Sequence, residues 1–402
     1  MSKSILFVIN TLSRAGAETA LLELLNRFKG EEFQVDLFVL MGQGELADRI
    51  PGHVRLLNKE LSVESVLSKK GRLVMTGTVL RSMASRGTVI RLLPYLAGNL
   101  IRMIVRRRIQ VDKLLWRVLS DGAPRWGKEY DLAVSYIEGG AAYYTADHVR
   151  AKKKASFIHI DYRLAGYTRK LDRDCYRKFD RIFPISEETM NSFLEIYPQC
   201  REKTFVFHNI VNQDAIREKA LLPGGFRDEF DGIRILTVAR LNKQKAFPIA
   251  IQAMKLLKDA GIKARWYVLG EGEERKNLEQ MIETLGLSED FLLLGAVDNP
   301  YPYYKQTDLY VHATAFEGKS IAIQEAQTLG CSIIASDIIS NRQQVHYLED
   351  GILCELNPDA LKEAIVNLIQ HPDLREKLGE EAAKRKVTYE EDMSKLLELL
   401  QD

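Results

Sequence analysis

The 402-residue sequence holds only four cysteines, Cys175, Cys200, Cys331 and Cys354, and no two of them form a CxxC pair. That pattern argues against a disulfide framework and a cysteine zinc site. It fits a reducing compartment in which the thiols pack as small apolar groups. No uninterrupted apolar run reaches the roughly 18 residues of a spanning helix, so no segment is expected to cross a bilayer. The early run ILFVI is too short for the core of a signal peptide, and the chain is expected to stay in the cytoplasm. Charge of one sign is also lacking, with a net of +2, so nucleic acid is not an expected partner and any electrostatic signal must be local.

What the sequence has is alternation. Apolar runs at 5–9, 33–40, 130–136, 155–160 and 181–186 are each followed by a helix-like segment. The rhythm repeats at 233–239, 264–270, 291–295, 308–313, 332–336 and 352–356. Strand alternating with helix predicts an α/β protein made of two Rossmann-like doubly wound domains facing a cleft. The expected division is residues 1–208, then 209–388, with a last amphipathic helix over 389–402 that crosses back to the first domain. Ligands of such domains gather beyond the carboxyl ends of the strands.

One stretch lacks acid altogether. Between Ser65 and Val111 there are ten Lys or Arg residues and no Asp or Glu. Val89, Leu92, Leu93, Leu96, Leu100 and Ile104 run between the cations near helical spacing. A basic amphipathic insertion, about 60–125, is therefore expected to lie on an anionic membrane surface, with Arg102, Arg106, Arg107 and Arg108 as contacts. The competing reading is a helical insertion packed on its own domain with a solvated basic rim.

Gly318-Lys319-Ser320 looks like the end of a nucleotide-triphosphate loop, but the position that such a loop needs as glycine is Ala313. What remains is a strand, a short loop and a helix starting near Ser320, whose first backbone N–H groups suit phosphate oxygens. Glu317 and Glu325 flank that helix start. Arg240 and Lys245 flank the loop after the first strand of the second half, where two cations can neutralise a diphosphate. Gly270 and Gly272 follow the next strand and allow close backbone approach. Gly295 and Asn299-Pro300 mark a further tight loop. Each signal alone is weak; four successive strand-to-helix turns with ligand-compatible chemistry are far more specific. Asp172-Arg173-Asp174 is read instead as a solvated helical face, and His159-x-Asp161 lacks further ligands nearby, so no metal site is expected. His312 is read as a satisfied core or rim residue, and His208 as a residue that orients the hinge.

In this order the motifs resemble the donor domain of the GT-B glycosyltransferases, in particular the large retaining family four and its polysaccharide-building bacterial branch. Arg14-Ala15-Gly16-Ala17-Glu18 resembles that family's glycine-rich first loop, with Ala15 where the first glycine usually stands. Ala246, after Lys245, also replaces a common glycine. The resemblance implies a nucleotide diphosphate sugar donor, UDP-linked ahead of GDP-linked, and a glycan or polyprenyl-diphosphate-linked acceptor. It implies retention of anomeric configuration and neither metal nor cofactor. Arg240 and Lys245 would hold the diphosphate, Glu317 the transferred sugar and Glu325 the ribose. The amides of Gly318, Lys319, Ser320 and Ile321 would cap the phosphate, with Gly16, Gly270, Gly272 and Val297 lining the donor. His159 would sit by the reacting centre, and Glu138 and Gly139 would meet the acceptor. Two alternatives share the fold: a non-catalytic partner subunit and a nucleotide-sugar epimerase.

Overall fold

A computed structural model of the chain describes residues 2–66, 68–105, 107, 109–387 and 390–401. It divides into two compact units, residues 1–210 with 389–402, and residues 211–388. The first contains β1 (Lys3–Ile9), β2 (Phe33–Val39), β3 (Val54–Leu56), β4 (Glu129–Ser135), β5 (Arg150–Ile158) and β6 (Arg181–Pro184). They form one parallel sheet in the order β3-β2-β1-β4-β5-β6. The second unit contains β7 (Ile233–Val238), β8 (Ala264–Leu269), β9 (Phe291–Gly295), β10 (Leu309–His312), β11 (Ile333–Ser336) and β12 (Ile352–Cys354). Its parallel order, β12-β11-β10-β7-β8-β9, repeats the first. In each sheet the strand order reverses beside the first strand, which opens a crevice where loops from both directions meet.

Strand alternation sets what each face carries. In β10, Leu309 and Val311 join Ile235, Met254, Trp266 and Val268 in the core beneath the helix Phe247–Asp259. Tyr310 points the other way, into a cluster with Tyr267, Tyr304, Ile323 and Ile333. Each fully buried apolar side chain stabilises by about 1.5–3 kcal/mol. The strands are held from both faces, and their carboxyl ends are held with them.

The structure departs from the sequence reading in three places within the first unit. The short edge strand β3 was not expected, because Val-Arg-Leu is too brief to show a period. Asp172 is not on a solvated face. The helix Arg169–Asp172 lasts one turn, since Arg173 and Asp174 take left-handed φ values of 53° and 51°. The Asp172 carboxylate is fully buried and accepts from the hydroxyls of Tyr143 (2.7 Å), Tyr162 (2.7 Å) and Tyr197 (3.1 Å). Burial pushes its pKa up to about 6, held back by those hydroxyls and by Arg117.

The third departure lies in the basic insertion, where Leu92 turns inward. The insertion folds as the helices Lys69–Ala84, Thr88–Val105 and Val111–Gly122. Thr88–Val105 is long and apolar enough to cross a membrane by length and composition, although Arg91 and Arg102 interrupt its apolar run. Its two faces differ. Thr88, Leu92, Tyr95 and Asn99 are buried, and the Tyr95 hydroxyl donates to the Leu171 carbonyl at 2.8 Å. Ile90, Leu93, Leu100, Ile101 and Ile104 form an exposed stripe, with Ile90 80% accessible. Leu92, grouped with the outward residues by spacing, points inward. Arg102 is exposed and donates to Asn99 Oδ1 at 3.0 Å, and Arg107 is exposed with φ 52°. Arg106 and Arg108 lie outside the described residues.

His208 sits beside the end of the first unit's chain path. Its backbone N–H donates to Asp392 Oδ2 at 2.7 Å, and its Nδ1 lies 2.9 Å from the same oxygen. Lys395 donates to the Val206 carbonyl at 2.7 Å. Together they fasten the turn that leads into the last helix, Met393–Gln401.

Candidate functional site

The carboxyl ends of β7, β8 and β10 lie on one rim of the second sheet because these strands are parallel neighbours or share β7 as a neighbour. After β7 the chain makes a 3-10 turn, Lys243–Lys245, capped by Asn242, whose Oδ1 accepts from the Lys245 N–H at 3.2 Å. Ala246 then takes φ 45°, ψ 31° before the helix Phe247–Asp259. That left-handed backbone explains why glycine would suit position 246. The glycines after β8 serve a close approach. A Cβ on Gly270 would stand 2.0 Å from the Ala239 carbonyl oxygen, and one on Gly272 would stand 2.0 Å from that of Leu241. The backbone of this loop therefore lies directly against the loop that carries Arg240.

Hydrogen bonds stitch the β7 loop to the loop after β10. The Gln244 carbonyl accepts from the Ala315 N–H at 2.9 Å, and Gln244 Nε2 donates to the Phe316 carbonyl at 2.7 Å. This brings Lys245 to Glu317, and the two side chains form a hydrogen-bonded ion pair through Oε2. His312 Nε2 lies 3.3 Å from the same oxygen, and the Tyr310 hydroxyl lies 3.2 Å from His312 Nδ1. Burial alone would raise the Glu317 pKa, but the Lys245 ammonium and the His312 bond outweigh it and hold the carboxyl at about 2. Burial and the neighbouring ammonium lower that of His312, so the imidazole is neutral near pH 7. Arg240 is exposed on the loop after β7 and makes no side-chain hydrogen bond or ion pair among the described residues.

Glu325 is buried in the second turn of the helix Ile321–Thr328. Its oxygens accept from the hydroxyls of Tyr301 and Tyr304, each at 3.1 Å. Burial drives its pKa up to about 7 in spite of those bonds. Ser320 caps the helix through its hydroxyl, which accepts from the Ile323 N–H at 3.3 Å. Its own N–H already donates to Gln344 Oε1 at 2.7 Å, and its carbonyl accepts from Gln344 Nε2 at 2.9 Å. A phosphate capped by the whole 318–321 run would have to displace Gln344 from the Ser320 amide. Val297 is half-buried against the tyrosine cluster, and Asn299 Nδ2 donates to the Lys219 carbonyl at 2.8 Å.

In the first unit, His159 follows β5. Its ring packs against Tyr136 at 5.0 Å and Phe157 at 6.3 Å between centroids, and burial lowers its pKa to about 4. Its Nε2 is buried without a hydrogen-bond partner among the described residues. Glu138, expected at the acceptor, is turned inward: it is buried, and its Oε2 accepts from the His159 N–H at 3.0 Å. Burial raises its pKa, and the His159 N–H opposes that. Gly139 precedes the helix Gly140–His148, whose Ala141 N–H donates to Asn10 Oδ1 at 2.8 Å. Gly16 opens the helix Gly16–Asn26, where Glu18 accepts from the hydroxyls of Thr11 and Ser13, each at 3.2 Å.

The structure thus joins Lys245 and Glu317 directly, and it adds four groups that the motifs did not flag: Tyr310, His312, Gln244 and Gln344. Only the two-residue spacing of Tyr310 and His312 on one strand face could have linked that pair in the sequence. Among the described residues, no group of three or more His, Cys, Asp or Glu is placed to hold a metal ion.

The chain is similar to known glycosyltransferases. Over 217 residues the chain is 27% identical to a Campylobacter jejuni N-acetylgalactosamine-N,N'-diacetylbacillosaminyl-diphospho-undecaprenol 4-alpha-N-acetylgalactosaminyltransferase, covering 54% of this chain and 58% of that one. Over 232 residues it is 24% identical to a Bacillus subtilis poly(glycerol-phosphate) alpha-glucosyltransferase, covering 57% of this chain and 33% of that one. The matches therefore span little more than half of these relatives' length, or less. Anabaena HepE, solved in complex with UDP, superposes over 100% of both chains with a TM-score of 0.68 at 17% identity, which shows the shared GT-B fold. Residues 228–385, the stretch that carries Arg240, Lys245, Glu317 and Glu325, match the family described as glycosyl transferases group 1.

Proposed function

We propose that the chain is a retaining hexosyltransferase that moves a sugar from a nucleotide diphosphate sugar to a glycan or lipid-linked acceptor in cell-surface polysaccharide synthesis. The observation that carries this reading is the Lys245–Glu317 pair, seated with Arg240 on the loops of a glycosyl transferases group 1 unit. UDP is the leading nucleotide because HepE was solved with UDP and with UDP-glucose. The polymer context follows relatives named for a diphospho-undecaprenol substrate and for poly(glycerol-phosphate).

Transfer breaks the bond between the anomeric carbon and the diphosphate. Negative charge grows on the leaving phosphate while positive charge grows on the sugar ring. Arg240 and Lys245 would stabilise the first, and preorganised charge of this kind acts without reorganising during the reaction. Glu317, kept ionised, would accept hydrogen bonds from sugar hydroxyls and oppose the positive charge on the ring. By the same resemblance His159, kept neutral because burial lowers its pKa, would sit by the reacting centre. Glu138 contributes by fixing the His159 backbone. In a retaining reaction without a covalent intermediate, the acceptor hydroxyl would attack the face from which the diphosphate departs.

We also propose that the exposed stripe of Thr88–Val105 rests on the inner face of the cell membrane, its cations on anionic headgroups. The Tyr95 hydroxyl bonds the opposite face of this helix to Leu171, and Leu92 and Tyr95 pack in the core of the unit, which favours a helix lying on the bilayer over one crossing it.

Incubation with a panel of labelled UDP- and GDP-sugars tests the transferase reading. Slow release of nucleoside diphosphate is expected with one donor, faster with acceptor. Sugar isomerisation would replace it with an epimerase, and silence with every donor would favour a non-catalytic subunit.

A further inference from the structure

Glu317 has two partners, and both bind the same oxygen. Lys245 and His312 meet at Oε2, and among the described residues no donor reaches Oε1. The directions of these bonds follow from chemistry. An ionised carboxylate only accepts, so His312 Nε2 must carry the hydrogen. In a neutral imidazole Nδ1 then bears a lone pair, and the Tyr310 hydroxyl is the donor to it. Tyr310 and His312 are 0% and 1% exposed, so neither side chain can exchange these bonds for water.

We infer that His312 is the positioning residue for the sugar-contacting carboxylate: Tyr310 sets its tautomer, and its Nε2–H anchors Glu317 Oε2 so that Oε1 is left for a donor hydroxyl. The inference rests on the transferase reading above. Lys245 cannot serve as that anchor. Once a diphosphate binds, its ammonium is shared between Glu317 and the phosphate oxygens, while the imidazole has no second acceptor to turn to. His312 therefore acts on recognition of the sugar, and Lys245 on that of the diphosphate.

Calorimetric titration separates these roles. Wild type, His312→Ala, His312→Gln and Tyr310→Phe are titrated with UDP and, in parallel, with UDP-glucose, UDP-N-acetylglucosamine and UDP-N-acetylgalactosamine. UDP affinity is expected to stay within about twofold in every variant, which also reports on the fold. His312→Ala should weaken the preferred intact donor by roughly tenfold or more, the size of a lost hydrogen bond to a charged group. His312→Gln, which can accept from Tyr310 and donate to Glu317, should recover most of that loss, and Tyr310→Phe should fall between. Parallel loss of UDP and donor, or no loss of either, overturns the assignment of His312 alone. A wild-type chain that binds no nucleoside diphosphate overturns the transferase reading and this inference with it.

Discussion

The Lys245 ammonium is bonded to the Glu317 carboxylate although 72 residues separate them, because Gln244 ties their two loops together. Both side chains are mostly buried, 13% and 15% exposed, so each group is held where it can meet a ligand and neither is solvated away. Replacing Lys245 with Met removes the cation facing the leaving diphosphate, and turnover should fall by about 10²–10³. Glu317→Gln should fall by a comparable factor. Groups that act as a unit are not additive, so the double variant should be little worse than the poorer single one. Steady-state kcat for the three variants decides. Losses that multiply would mean the pair does not act together.

Glu325 gives a prediction about pH. Its folded pKa, about 7, lies above the ordinary 4.5 because burial disfavours the anion. A carboxyl raised in this way binds its proton more tightly in the folded chain. Its stabilising contribution is complete below about pH 4.5 and is lost as pH rises toward 7. At 1.36 kcal/mol per pKa unit, the loss is roughly 3 kcal/mol. Glu325→Gln cannot ionise and should gain on wild type by about that amount between pH 5 and pH 8 in urea unfolding. An equal stability difference at both pH values would mean Glu325 is not held protonated.

The strand-to-helix rhythm was legible because each strand end carries loop residues of distinct character. Arg240, Lys245, Gly270, Gly272, Glu317 and Glu325 could all be picked out at such ends. What escaped was tertiary. Nothing near Asp172 in sequence announces Tyr143 and Tyr197, which come from 29 and 25 residues away to bury it. A DxD in a charged stretch therefore looked solvated. Glu138 looked like an acceptor contact, since an acid at a strand end gives no sign of which way it turns. His312 looked like ordinary core, which by burial it is. Its bond to Glu317 depends on a loop that folds back. Side-chain direction at loops was the missing information throughout.

Ala246 offers a stability test independent of ligand. A left-handed φ of 45° crowds its Cβ, a strain of roughly 1–2 kcal/mol for a residue other than glycine. Glycine relieves the strain but adds freedom to the unfolded chain, which offsets part of the gain. Ala246→Gly should leave the protein more stable by up to about 1 kcal/mol, measured by thermal or urea unfolding. A clear loss would mean the methyl group contributes more by packing than its conformation costs.

The exposed face of Thr88–Val105 can be tested through the two forces that would hold it on a membrane. Ile90 and Ile101 are 80% and 61% exposed on the stripe, while Arg102 and Arg107 supply charge nearby. Each cation near an anionic surface is worth about 1 kcal/mol, so changing Arg102 and Arg107 to Glu should weaken binding to phosphatidylglycerol vesicles more than about tenfold. High salt should remove that difference, because screening weakens the same attraction. Ile90→Asp with Ile101→Asp should also release the chain, but here the loss should persist in high salt, since apolar insertion is not screened. Sedimentation with anionic and zwitterionic vesicles reads both effects. A wild-type chain that stays in the supernatant with anionic vesicles would return this face to the simpler role of a solvated rim on its own unit.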